Sequence, residues 1–269
     1  MMPLLGSHPD KERQAPERQH GVRMTDDARP TGMICWTTFP EEFVIEDVFD
    51  SSPEFRAFYE AERSKLDEPI HWVHDLGLPV GIDFRCTRLG EAVRVIRLRR
   101  VPAVVQDAAG IAQQLEHFIL DSEGFPATGA PRQYESLSSA LNSMIHGPIV
   151  YSKLGTYGFN FRELHEQQVK EAINQLGKVR TAPVAHIQTA HWVFNYVGKL
   201  LEWELVSTPW DDTVGEFQSW FDPRFPAIAA KGGELFALVK AVGCDTPEKQ
   251  AILFRKIITR FCLGEVILP

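Results

Sequence analysis

From residue 102 to the carboxyl end, apolar positions recur with the 3.6-residue period of amphipathic helices. Val104, Ala108, Ile111, Ala112, Leu115, Phe118 and Ile119 form one stripe, closed by Gly124 and Pro126. Leu137, Ala140, Leu141, Met144 and Ile145 form the next. Gly147-Pro148 is expected to stop that helix, because proline lacks an amide hydrogen and its ring collides with the preceding turn. Asn160 followed by Glu163 has the form of a capping box, and it opens a helix that ends at Gly177. The strongest pattern covers residues 184–206. There Ile187, Ala190, Phe194, Val197, Leu201 and Leu205 make one stripe, with Val193, Tyr196, Leu200 and Trp203 beside it. Only Gln188, Asn195, Lys199 and Glu202 form a polar line, so this helix is expected at the centre of a bundle. Thr213 with Glu216 repeats the capping pattern before a short helix that ends at Pro223. Residues 226–242 are helical in period, with a kink expected at Gly232-Gly233. Thr246-Pro247 is an N-cap and first-turn pair for a last helix carrying Leu253, Phe254, Ile257, Ile258 and Phe261.

The pattern before residue 102 is different. Phe43-Val44-Ile45 reads as a short strand, 54–66 as a helix ended by Pro69, and 81–86 and 92–101 as strands. The alternation of the last strand slips at Val95-Ile96. Residues 1–33 mix both charges with proline and glycine and hold few apolar side chains, so they read as a disordered tail. Met24 offers a second start, and order is expected from Ile34-Cys35-Trp36. The expected protein is mostly α, with a small α+β section at 34–101 and a bundle of about six helices at 102–269, packed on a short antiparallel or mixed sheet. No Gly/Ser/Pro linker divides the two, so they are expected to share one core.

Composition narrows the classes. Apolar residues make up 44% of 269 and charged residues 24%, an ordinary globular mixture. A net charge of −8 repels a phosphate backbone and argues against a dedicated nucleic-acid binder. No apolar run reaches the ~18 residues of a membrane helix, so no membrane partner is expected. Cys35, Cys86, Cys244 and Cys262 are scattered, without metal or redox spacing. With no leader peptide legible, the cytoplasm is the expected compartment.

Charge is unevenly spread. Residues 41–68 carry ten acids against three bases, whereas 85–100 carry Arg85, Arg88, Arg94, Arg97, Arg99 and Arg100 against one acid. Guanidinium forks suit phosphate and carboxylate, which makes these six arginines candidates for binding an anion or an acidic partner. The plainer alternative is that the acidic helix neutralises the basic strand, or that the arginines keep an edge strand soluble.

Histidine is the other candidate chemistry. His186 and His191 lie five residues apart, about 140° around a helix, so they make no two-ligand clamp. His165-Glu166 has no second histidine at the spacing of a zinc-protease helix. His71, His74 and Asp75 converge only if that segment is helical, and Leu76 to Pro79 argues for a turn. Glu204 lies on an apolar face and calls for a cationic partner. Phosphate-binding loops and nucleophile elbows are missing. No metal site is expected, and no cofactor is indicated. The leading expectation is a non-catalytic regulatory protein with a protein partner at the charge-polarised section. The alternative is a small-molecule enzyme with a pocket in the helical section using His165, Glu166, His186 or His191, with or without a metal, and a weaker one is RNA or nucleotide binding at the arginines.

Overall fold

A computed structural model of the chain describes residues 38–77, 85–89, 93–206 and 212–267. The tail at 1–33, the onset of order at 34–36 and residues 81–84 of the expected strand lie outside them. The protein is mostly α-helical with a small α+β section.

Among the described residues four strands form one mixed sheet, β1 Thr38–Phe39, β2 Ile70–His74, β3 Arg85–Leu89 and β4 Val93–Leu98, in the order β1-β2-β4-β3. β2 runs antiparallel to β1 and parallel to β4, and β3 pairs antiparallel with β4. Trp72 and Ile96 stand opposite each other in register, and both are fully buried. β2 was not anticipated. Its period-two signal, Ile70 and Trp72 buried while His71 is half-buried, is short and interrupted by buried Val73. His71 and His74 therefore sit on a strand, and no metal-holding group of three occurs among the described residues.

Two helices lie beside this sheet, α1 Glu41–Ser51 and α2 Pro53–Glu62. Phe43-Val44-Ile45, expected as a strand, is inside α1. Three consecutive apolar residues fit either period, and Val48 decides: Val44, Ile45 and Val48 bury one helical face and leave Phe43 outside. Ser52 caps α2 by accepting the Phe55 amide at 3.2 Å, with Pro53 at the first helical position.

Seven α-helices follow among the described residues: α3 Ala108–Ser122, α4 Glu135–Gly155, α5 Arg162–Leu176, α6 His186–Val206, α7 Asp212–Phe221, α8 Pro226–Val242 and α9 Pro247–Arg260. α4 passes through Gly147-Pro148 instead of stopping there. An interior proline costs roughly 3 kcal/mol. Val150 and Leu154 beyond it are buried, at about 1.5–3 kcal/mol each, so continuing the helix more than offsets the proline. The expected capping box at Asn160 is also replaced. The Asn160 carboxamide accepts the Arg162 amide at 3.0 Å, Phe161 takes the N-cap position, and Gly177 stays right-handed at φ −59°. α8 is unbroken at Gly232-Gly233. A Cβ on Gly232 lies 2.5 Å from Cδ1 of Tyr196, so this glycine serves the close approach of α6 and α8. The Thr246 cap forms as expected, its hydroxyl accepting the Lys249 amide at 3.3 Å. None of the described helices is long and apolar enough to cross a membrane.

Buried apolar side chains gather in two clusters. One joins α1, α2, the sheet, α3 and the end of α4; the other joins the first part of α4 with α5 to α9. α4 belongs to both, and a cleft of about 830 Å³ opens along it.

Candidate functional site

α3 turns Ile111, Leu115 and Ile119 into the core and leaves Gln114, His117 and Asp121 on one line, spaced three and four residues apart. α4 does the same with Glu135, Ser139, Asn142, Ser143 and His146. The two polar lines face a shared cleft of about 830 Å³, within the usual size range of small-molecule sites. Residues 125–132 form a third wall, and Arg94 reaches it from β4.

This third wall is pinned through Thr128. The Asn142 carboxamide accepts from the Thr128 amide at 2.9 Å and its hydroxyl at 2.8 Å, and it donates to the Thr128 carbonyl at 2.9 Å. Ser138 donates to the same carbonyl at 2.7 Å. Most donors and acceptors of Thr128 and Asn142 are thereby used, leaving Gln114, Ser139, Ser143 and the two imidazoles as polar groups for an occupant.

His146 has a defined tautomer. Its Nε2 lies 3.0 Å from the Pro126 carbonyl and 3.1 Å from Oε1 of Gln250. The Gln250 amide nitrogen donates to the Cys244 carbonyl at 3.0 Å, which fixes Oε1 as the atom facing the imidazole. Nε2 therefore carries the proton and Nδ1 keeps its lone pair. Burial lowers the pKa of His146, and burial together with His146 lowers His117 to about 4. The rings stand 6.1 Å apart and are neutral at pH 7.

The cleft's fixed charges balance, with Arg94 and Arg132 against Asp121 and Glu135. Arg94 is 4% exposed. Its Nε lies 3.1 Å from Glu68, its Nη2 3.7 Å from Asp121, and the guanidinium stacks 5.5 Å from the Phe118 ring centre. Arg97 pairs with Asp75, and Arg100 with Asp107 at 3.1 Å. Arg99 offers its carbonyl to His74 Nε2 at 2.9 Å. Arg85 and Arg88 lie on β3 in register with Arg97 and Arg94. Arg94, Arg97 and Arg100 are thus matched to carboxylates, and the Arg94–Glu68 pair joins the basic run to the acidic one.

The histidine candidates are dispersed. His165 is 2% exposed on α5, both ring nitrogens lack a hydrogen-bond partner, and its ring meets Tyr151 edge-on at 5.0 Å. Burial, with Lys199, lowers its pKa to about 4. Glu166 pairs with Arg162 at 3.0 Å. His186 contacts the Phe261 carbonyl. His191 accompanies Asn195 on the wall of an aromatic hollow of about 260 Å³ with Trp192, Tyr196 and Phe217. Glu204, expected to need a cation, has Lys240 at 2.9 Å. His117, His146 and Asn142 escaped sequence reasoning. Their helical spacing within each line is legible, but the facing of α3 and α4 is a tertiary fact.

Comparison with protein families, curated proteins and solved structures returned no match.

Proposed function

We propose that this protein is a non-catalytic, regulatory small-molecule binder, taking an uncharged, hydroxyl- or amide-bearing ligand between α3 and α4. The observation that carries the reading is the pair of polar lines facing an electrically balanced cleft of about 830 Å³. Neutral imidazoles offer hydrogen bonds without attracting a counter-ion, and Phe118 and Phe125 offer apolar contact to a ring or chain. A binding role fits better than acid–base catalysis, because an imidazole whose pKa lies near 4 is a weak proton acceptor at pH 7. An acidic chain with scattered cysteines supports a cytoplasmic site of action.

The test is a thermal-shift screen of sugars, nucleosides and small amides against the natural protein and Ser139→Trp. Ser139 is exposed, lines the cleft and takes no part in pinning Thr128. At least one compound is expected to raise the melting temperature of the natural protein and leave the tryptophan variant unmoved. A panel without effect on either protein, or equal shifts in both, removes the reading.

A second observation favours a protein partner as well. Phe43 is 47% exposed and stacks 6.2 Å from Phe39, with acidic Glu42, Glu46 and Asp47 exposed on the same helix. This combination supports a basic, partly apolar peptide as the partner. Phe43→Ser should abolish its capture if that is the surface used.

A further inference from the structure

A smaller pocket of about 180 Å³ lies where α4, α5 and α6 meet, on the other flank of Ser143. Its polar wall is Ser143 and Tyr151 from α4, Gln168 from α5, and Asn195, Lys199 and Glu202 from α6. Three of these six belong to the polar line that the sequence shows along α6.

Two charges of opposite sign face this space without meeting. Lys199 and Glu202 are three residues apart on α6 and line the same pocket, yet they form no ion pair with each other. Neither has another ion-pair partner among the described residues. The Lys199 ammonium stands 5.9 Å from the Trp203 ring centre. Glu202 is seated against the backbone of α4: a Cβ on Gly147 lies 2.9 Å from its Oε1, so only glycine leaves the carboxylate that place. Burial holds the Glu202 carboxyl at about 7, and Lys199 opposes the rise. Burial and Glu202 push the Tyr151 hydroxyl up, so Tyr151 stays a neutral hydroxyl whose oxygen can accept from an ammonium. The Tyr151 ring also meets His165 edge-on at 5.0 Å, and His165 is buried with both nitrogens unpartnered, where packing alone favours an apolar residue.

A desolvated carboxyl and a half-buried ammonium held apart are stabilised by an occupant that brings both complements. We propose that this pocket binds a small zwitterion, a free amino acid, with its ammonium on Glu202 and Tyr151 and its carboxylate on Lys199 and the Asn195 and Gln168 amides. Its volume suits a molecule with a few carbons between the charges, and the aromatic and aliphatic surfaces of Phe194 and Met144 border those carbons. The site is distinct from the α3–α4 cleft and stands or falls without it.

The experiment is isothermal titration calorimetry on the full chain at pH 8, where the Glu202 carboxyl is ionised. The probes are glycine, β-alanine, 4-aminobutyrate and 5-aminovalerate, with acetate and ethylammonium as single-charge controls. One member of the series is expected to bind best and at least ten-fold more tightly than either control. Lys199→Met and Glu202→Gln are each expected to weaken it ten-fold or more while keeping the native circular-dichroism spectrum and a cooperative melt, that of Glu202→Gln at the same or a higher temperature. Ser139→Trp, which blocks the neighbouring cleft, should leave this affinity intact. Controls that bind as well as the zwitterions overturn the proposal. So do folded variants with undiminished affinity, and so does a series in which no compound binds.

Discussion

Glu116 is 3% exposed on α3, and its Oε2 has no hydrogen-bond partner. Burial, reinforced by the charge of Glu62, raises its pKa from 4.5 to about 7. Glu62 is equally buried but has the opposite fate. Burial opposes its ionisation, yet Lys153 at 2.7 Å, Lys65 at 2.6 Å and the Tyr157 hydroxyl outweigh that and bring it to about 2. The two carboxyls bend the pH–stability curve in different windows. Glu62 contributes stability above pH 4.5 that is lost as pH falls toward 2. Glu116 favours the fold below pH 4.5, and that contribution is lost as pH rises to 7. Glu116→Gln should therefore stabilise the protein at pH 8 by about 1–3 kcal/mol and leave it little changed at pH 4. Urea unfolding at both values checks this, and an equal effect at the two removes the assignment. Neither environment is legible in the sequence, where both residues are polar positions on amphipathic helices. Glu62 and Tyr157 are 95 positions apart, and only folding brings them together.

At the scale of elements, the strongest periodic signals survive best. α3, α6 and α9 occupy their expected segments, and Thr246 caps α9 as its spacing indicates. Thr246→Ala should cost about 1 kcal/mol, read from the chemical-denaturation midpoint, whereas Thr246→Asp should cost little. What failed were the punctuation marks. Pro148 is overruled by the buried residues on either side of it, and Gly232 is kept for contact and not for a bend. Gly232→Ala places a methyl within 2.5 Å of the Tyr196 ring, with an expected loss of about 1–3 kcal/mol in the same measurement. A neutral result there means that Tyr196 swings aside. Lys199 and Glu202 were legible as one face of α6, but a face toward water and a face toward a pocket have the same periodicity. Which of the two it is depends on whether α4 and α5 crowd it.

For the whole molecule, the alternation of mixed and helical patterns foretold a small sheet section followed by helices. It did not reveal that α3 packs its apolar stripe with the sheet while α4 lends side chains to both clusters. That sharing predicts cooperative unfolding. Trp72 lies in one cluster and Trp203 in the other, so variants retaining one tryptophan apiece report on each separately. Leu141→Ala removes a fully buried side chain from the helical cluster and should cost about 2–5 kcal/mol. Both reporters should shift together, and a Trp72 transition that stays put means the clusters melt independently. The placement of Ser143 extends this to ligands, since its side of α4 borders the cleft and the zwitterion pocket alike. Two guests divided by one helix sense each other through any displacement of it, and thermodynamic reciprocity makes the influence equal in both directions. Were both proposed ligands to bind, such an arrangement would let the level of one set the protein's affinity for the other.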